Sequence, residues 1–255
     1  MPTKRALLIS NPGESGDENY CRGVYVDVRN YQRFLASPEG GGWSESEIEP
    51  PMDRPTKAGL RLKIAELAGY DFTMVMFTGH GWYSSTDHDR ILILRKGEEI
   101  ASLDLCQNAR KRIVILDCCQ VVHKESLLEK RAHMVCFANE AQLPRQANLE
   151  NCRKLYAKQI EAAPTGCLKT FSCAINEKST DNDETGGRYN SSLINAAEGW
   201  AIDQAKNPWV QDACLSIVEA HEQAAARTRK ESGGNQNPSI EKARTGPYFP
   251  FAVFA

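Results

Sequence analysis

The sequence predicts a three-layer α/β/α sandwich built on a mostly parallel central sheet of about six strands. Two observations carry that prediction. Apolar runs with no polar alternation, such as "FTMVMFTG" (72–79) and "RIVILDCC" (112–119), mark strands covered on both faces. Between such runs lie stretches with the 3.6-residue period of amphipathic helices, so strand and helix alternate along the chain.

The elements follow in order. "RALLIS" (5–10) reads as the first strand, and "GVYVDVRNYQRFL" (23–35) sets Val24, Val28, Tyr31 and Leu35 at helical spacing. A loop rich in Gly, Glu and Pro (38–55) leads to a second helix in "KAGLRLKIAELAGY". The strand 72–79 comes next, then "RILILRKGEEI" (90–100), a hairpin turning at Lys96-Gly97. After the strand 112–119, residues 120–150 are polar and aperiodic, long for a loop, and are expected to be functional or mobile. "LENCRKLYAKQIEAA" is helical, "CLKTFSCAI" is a strand and "NEKSTDNDETGG" a solvated loop. Helices at about 188–203 and 209–230 precede a last strand "YFPFAVFA", where Pro250 points to a sheet edge. No repeat interrupts this plan, so residues 1–255 are expected to form one domain.

Composition narrows the function classes. Charged residues make up 25% and the formal net charge is -2, which gives no electrostatic pull toward nucleic acid or a membrane surface. No apolar run approaches the roughly 20 residues of a membrane-spanning helix, and the apolar start is too short for a secretory signal. The nine cysteines are scattered and odd in number, which fits reduced thiols in the cytoplasm better than a disulfide framework.

Two of the buried strands end in chemistry. One stops at Gly79-His80-Gly81, and the other at Asp117-Cys118-Cys119. Ligands of parallel sheets bind at the carboxyl ends of the strands, which is where both motifs fall. Taken alone, His80 reads as a turn histidine, and Cys118 and Cys119 read as packed core thiols. Together, an imidazole and a thiol at adjacent strand tips can make a nucleophilic dyad. The neighbouring glycines would let a substrate backbone approach closely. A zinc site on His80, Cys118, Cys119 and His123 is the competing use. Adjacent strand residues point to opposite faces, however, and no CxxC or HxxxH completes a ligand set.

A strand ending in "GHG" followed by one ending in D-x-C resembles the caspase-like cysteine peptidases, and the "DCC" form is closest to metacaspases and bacterial orthocaspases. "CRGVYVDVRNYQRFL" is similar to the metacaspase L-R-G-C-x-N-D-V segment, which sets Asp27 on the family's aspartate. The end, "NQNPSIEKARTGPYFPFAVF", resembles the last strand of bacterial members. The resemblance implies Cys119 as nucleophile, His80 as its acid and base, and the backbone N–H groups of Gly81 and Cys119 as oxyanion donors. It implies Asp27 and Asp117 as acids of a half-buried pocket for the residue before the cut, with Ser172 or Cys173 as a wall. Two carboxylates there favour a substrate Arg, or Lys, since a guanidinium can meet both.

On that resemblance the chain divides into a large-subunit-like part (about 1–125), a loop (about 120–150) and a small-subunit-like part (about 150–255). Lys124, Lys130, Arg131 and Arg145 lie in the loop and are candidate points of self-cleavage. Metacaspases often carry a calcium site after "GHG", but only Asp87 and Asp89 lie there, so no metal and no cofactor is expected. The usual H-S-G after the cysteine is replaced by "QVV". The implied partners are protein substrates with Arg or Lys at the cleavage site and a separate activator or upstream protease. No nucleic acid or membrane partner is expected. A bacterial defence or cell-death pathway in the cytoplasm is the implied setting. A catalytically silent regulatory or scaffold subunit is the alternative of another class.

Overall fold

The computed structural model describes residues 1–120 and 146–255. The chain begins with β1 (Lys4–Asn11), α1 (Gly23–Ala36), β2 (Met52–Asp53), α2 (Lys57–Leu67) and β3 (Phe72–Gly79). It continues through β4 (Gly81–Ser84), β5 (Asp89–Arg95), β6 (Glu98–Ala101) and β7 (Lys111–Cys118). Beyond the undescribed segment come α3 (Leu149–Ala162), β8 (Gly166–Phe171), β9 (Asp181–Asn182), β10 (Gly186–Gly187) and α4 (Arg188–Lys206). The last elements are β11 (Ala213–Ser216), α5 (Ile217–Glu231), β12 (Ser239–Glu241) and β13 (Pro250–Phe254).

Six strands form the central sheet in the order β12-β8-β7-β3-β1-β2. All pair in parallel except the edge strand β12, which runs antiparallel to β8. The predicted mostly parallel sheet of about six strands is therefore the observed one. Strand alternation divides the core in two. Ala6, Leu8, Met74, Met76, Ile113 and Ile115 face α1, α3, α4 and α5. Leu7, Ile9, Val75, Phe77, Val114 and Leu116 face α2 and the antiparallel meander β4-β5-β6. Both faces are covered, which is why these strands show no polar positions. The chain reverses its progress across the sheet between β1 and β3, and a crevice at the carboxyl ends is expected at that point.

Several expectations need correction. The stretch "NEKSTDNDETGG" is not a solvated loop: it holds the β9–β10 hairpin, whose Gly186 and Gly187 are buried. The expected helix 209–230 starts only at Ile217, because Ser216 and Glu219 form a reciprocal capping box there. Residues before that box form β11, which pairs with β13 in a separate two-stranded sheet. The last strand is thus not an edge of the central sheet, and Pro250 sits opposite Ser216 beside a register shift. The strand expected in "CLKTFSCAI" ends at Phe171. Nor are all nine cysteines reduced. Cys106 and Cys167, 61 residues apart, form a disulfide, because the turn after β6 folds back over the start of β8. Sequence spacing gave no sign of this pairing.

Candidate active site

The register of β3 against β7 sets Gly79 opposite Cys118, so His80 and Cys119 leave adjacent strands side by side. Neighbouring strands run roughly 5 Å apart. Side-chain alternation then decides direction. Cys118 is buried in the cluster on the α2 side, and a Cβ at Gly81 would come 2.8 Å from its sulfur. Thr78 and Asp117, one residue earlier on each strand, turn to the opposite face, toward α1 and α4. Residues 80 and 119 share that parity.

His80 is held on two sides. Its carbonyl accepts from Ile93 N–H at 3.0 Å, which ties it to β5. Its Nε2 lies 3.2 Å from the carbonyl of Pro12, just past the end of β1. A carbonyl only accepts, so Nε2 carries the proton in that bond and Nδ1 keeps a lone pair for proton transfer. Gly13 lies against the ring with φ +93, and an added Cβ would come 3.0 Å from Nε2. The hydrogen-bonded 80–93 pair also orients the next residue. In an antiparallel ladder such pairs alternate, so the Gly81 N–H points away from β5.

The half-buried Cys119 thiol donates to the carbonyl of Ser179 at 3.5 Å. Gln120, which follows it, is locked in place. Its N–H donates to Glu177 O, its amide to Cys173 O, and its side-chain oxygen accepts from Arg90. The segment that faces the thiol is thereby fixed to the strand end that carries it.

Asp27 on α1 and Asp117 on β7 meet behind these tips. Both are buried, at 1% and 4% exposure, and not half-buried as expected. The reason is the β9–β10 hairpin, which the sequence reading missed. Gly187 N–H donates to Asp27 Oδ1 at 2.9 Å, and Ser179 donates its hydroxyl to Asp117 Oδ1. Side chains could not stand there: a Cβ on Gly186 would lie 2.2 Å from Asp27 Oδ1, and one on Gly187 2.3 Å from Asp117 Oδ2. Asp27 Oδ2 accepts from Thr78 at 2.6 Å and from the Asn190 amide at 2.9 Å. Asn190 also gives its backbone N–H to Asp117 Oδ2 at 3.1 Å, so one residue bridges both acids.

Burial, and then the charge of Asp117, push the Asp27 carboxyl up to about 8 despite its three donors. Burial raises Asp117 as well, with Ser179 and Asn190 pulling the other way. The pair therefore holds a proton near neutrality. A third acid, Asp181 on the hairpin, is also raised by burial and by Asp183, while the nearby His80 opposes that rise. Asn190, Ser179 and Asp181 were not singled out from sequence. Each lies in or beside a Gly-rich polar stretch that has no periodic signal.

Ser172 and Cys173 are fully buried behind β7. Both donate to the Cys118 carbonyl, at 3.2 and 3.4 Å, so they brace the strand end. Asp87 and Asp89 bond within the meander, to Ser84 and to Ser102 and Leu103. Among the described residues no group of three or more His, Cys, Asp or Glu could hold a metal ion. No described helix is long and apolar enough to cross a membrane. His123 and the basic residues 124, 130, 131 and 145 lie outside the described residues.

The six-stranded sheet with helices on its faces defines an α/β architecture whose candidate site lies at the carboxyl ends of β3 and β7. Residues 3–249 match the family model of the caspase domain. The chain belongs to that family of cysteine peptidases. No curated protein matches the chain.

Proposed function

We propose that the chain is a cysteine endopeptidase that cleaves protein substrates after Arg, or after Lys less well, through a Cys119–His80 dyad. The observation that carries this is the juxtaposition of three things at the carboxyl ends of β3 and β7. They are a thiol and an imidazole side by side, a Gly81 N–H directed out of its ladder, and two buried carboxylates behind them.

His80 Nδ1 takes the thiol proton, and Cys119 sulfur attacks the scissile carbonyl. Gly81 N–H and Cys119 N–H stabilise the oxyanion, a contribution of roughly a hundredfold or more per donor. The imidazolium then protonates the leaving amine. A thioester remains, which water attacks with His80 as base, releasing the new carboxylate. Pro12 O keeps the ring in the working tautomer throughout.

A guanidinium reaching Asp27 and Asp117 replaces the Ser179 hydroxyl and the Gly187 N–H as their partner, so the hairpin moves outward as substrate enters. The shared proton leaves at the same time, since the cation favours both charged forms. The planar fork of Arg can meet two carboxylates and the ammonium of Lys cannot, which is the basis of the Arg preference.

Division of the chain near 120–150, self-cleavage there, a cytoplasmic location and a defence or cell-death role belong to this reading through the family resemblance. So does control by a separate activator or upstream protease. Hydrolysis of a fluorogenic Arg peptide, abolished in Cys119→Ala and in His80→Ala, is the expected result. No hydrolysis of Arg or Lys peptides by the intact or the clipped chain would instead favour the silent scaffold.

A further inference from the structure

At the amino-terminal end of β7, the end away from Cys119, Arg112 is fully buried. Among the described residues no carboxylate pairs with it. Its partners are neutral: Nε donates to Thr73 at 2.6 Å, and Nη1 to Leu105 O at 2.6 Å and Gln107 O at 3.4 Å. Nη2 is buried with no hydrogen-bond partner. Burial pulls the guanidinium down to about 10, the sign of an uncompensated cation.

The Cys106–Cys167 disulfide lies next to it in the fold. Leu105 and Gln107 flank Cys106, so the guanidinium holds the carbonyls on both sides of that residue. Thr73, Arg112 and Cys167 form one cross-strand row over β3, β7 and β8, with side chains on the same face. Cys106 closes over this row to bond Cys167. Both half-cystines are half-buried, not sealed.

We infer that Cys106–Cys167 is a thiol–disulfide exchange site for a small thiol or a protein dithiol, with Arg112 holding the thiolate released on reduction. A disulfide is neutral and does nothing for a buried cation. A thiolate beside it supplies the missing counter-charge, and a nearby cation lowers a thiol's pKa. The reduced state therefore gains a contact that the oxidised state lacks.

The step balances as follows. A thiolate RS⁻ attacks the partly exposed Cys167 sulfur, and an RS–S bond forms as the Cys106–Cys167 bond breaks. The electron pair leaves on Cys106 as a thiolate beside Arg112. A second RS⁻ attacks the mixed disulfide, RSSR departs, and the Cys167 thiolate takes a proton from water. Two electrons pass from two thiols to the cystine. A leaving thiolate of lowered pKa departs faster.

The test equilibrates the full-length folded chain with reduced and oxidised glutathione, quenches with a maleimide mass tag and reads Cys106 and Cys167 by peptide mass. Arg112→Met, similar in volume and neutral, is expected to move the midpoint at least about tenfold toward the disulfide, since one pKa unit corresponds to a factor of ten. Equal midpoints for wild type and variant would overturn the inference. So would a wild-type pair that stays oxidised at every glutathione ratio while folded. Should Arg112→Met not fold, the reduced wild type decides. A Cys106 alkylation rate half-maximal below about pH 8 supports the thiolate, and one at or above the ordinary 8.5 refutes it. This test needs no peptidase activity, so its outcome is separate from that of the proposed function.

Discussion

Asp27→Asn keeps the shape of a buried carboxyl and removes its charge. Burial and Asp117 lift this group from 3.8 to about 8. That is a rise of about four units, and at roughly 1.4 kcal/mol per unit the charged form is disfavoured by at most about 6 kcal/mol. The sign follows from proton counts. Between these two pKa values the folded state binds a proton that the unfolded state has lost, so wild-type stability falls as pH rises from about 4 to about 8.

Asn carries no such dependence at this position. It has its own cost, because the Asn190 amide that now donates to Asp27 Oδ2 faces an NH₂ in place of an oxygen. A lost buried hydrogen bond of this kind costs about 1–3 kcal/mol at every pH. The variant is therefore expected to be slightly less stable than wild type at pH 4 and more stable by about 2 kcal/mol at pH 8. For a chain of this size that corresponds to a gain of about 4–8 °C in Tm at pH 8. Thermal unfolding of both proteins from pH 4 to 8.5 reads the difference. The diagnostic is its slope with pH, to which the lost hydrogen bond contributes nothing. A Tm difference that is flat across the range would refute the argument that a buried, proton-sharing acid pair is present. The same variant is expected to lose about a hundredfold or more in kcat/KM on Arg peptides, so a gain in stability and a loss of activity arise from one charge.

Three further outcomes are expected. Gly13→Ala pushes a methyl to 3.0 Å from His80 Nε2 and forces a non-glycine φ of +93, so kcat should fall at least tenfold with KM nearly unchanged. Steady-state kinetics that show a KM effect alone would contradict the role given to the Pro12–Gly13 loop. Asn190→Ala removes a donor that favours charged Asp27. The acidic limb of kcat/KM on Arg peptides should therefore move to higher pH, by about one unit, and NMR titration of the carboxyl in Cys119→Ala should move with it. The Cys106–Cys167 bond spans residues 120–150, so a chain clipped once in that stretch should run as one species on a non-reducing denaturing gel and as two after reduction. Two species without reductant would mean that the bond is absent.

Much of the scaffold was legible in the residues. The strands 72–79 and 112–119 announce themselves because burial on both faces removes every polar position, leaving a run that no amphipathic helix shows. Helix α1 shows through the spacing of Val24, Val28, Tyr31 and Leu35, all of them buried. His80 and Cys119 stand out because each directly follows such a strand. The hairpin 181–187 left no such trace. It is short, polar and Gly-rich, and its order comes from the Gly187 bond to Asp27 and from close packing on Asp117, both remote in sequence. Strand β11 was hidden in the same way, since "ACLS" becomes a strand only by pairing with β13.

By itself, then, the sequence determined the buried strands of the central sheet and which of their tips bear chemistry, while the meeting of Asp27 with Asp117 was implied only by the family resemblance. The strands and their tips are local properties of period and polarity. Tertiary structure alone decided that the acids are sealed and not half-open, that Asn190 spans them, that Pro12 sets the histidine tautomer, and that Arg112 lies unpaired beside a cystine. Each of these depends on atoms tens to more than a hundred residues apart coming within a few ångströms, and hydrogen bonding and desolvation act only at that range.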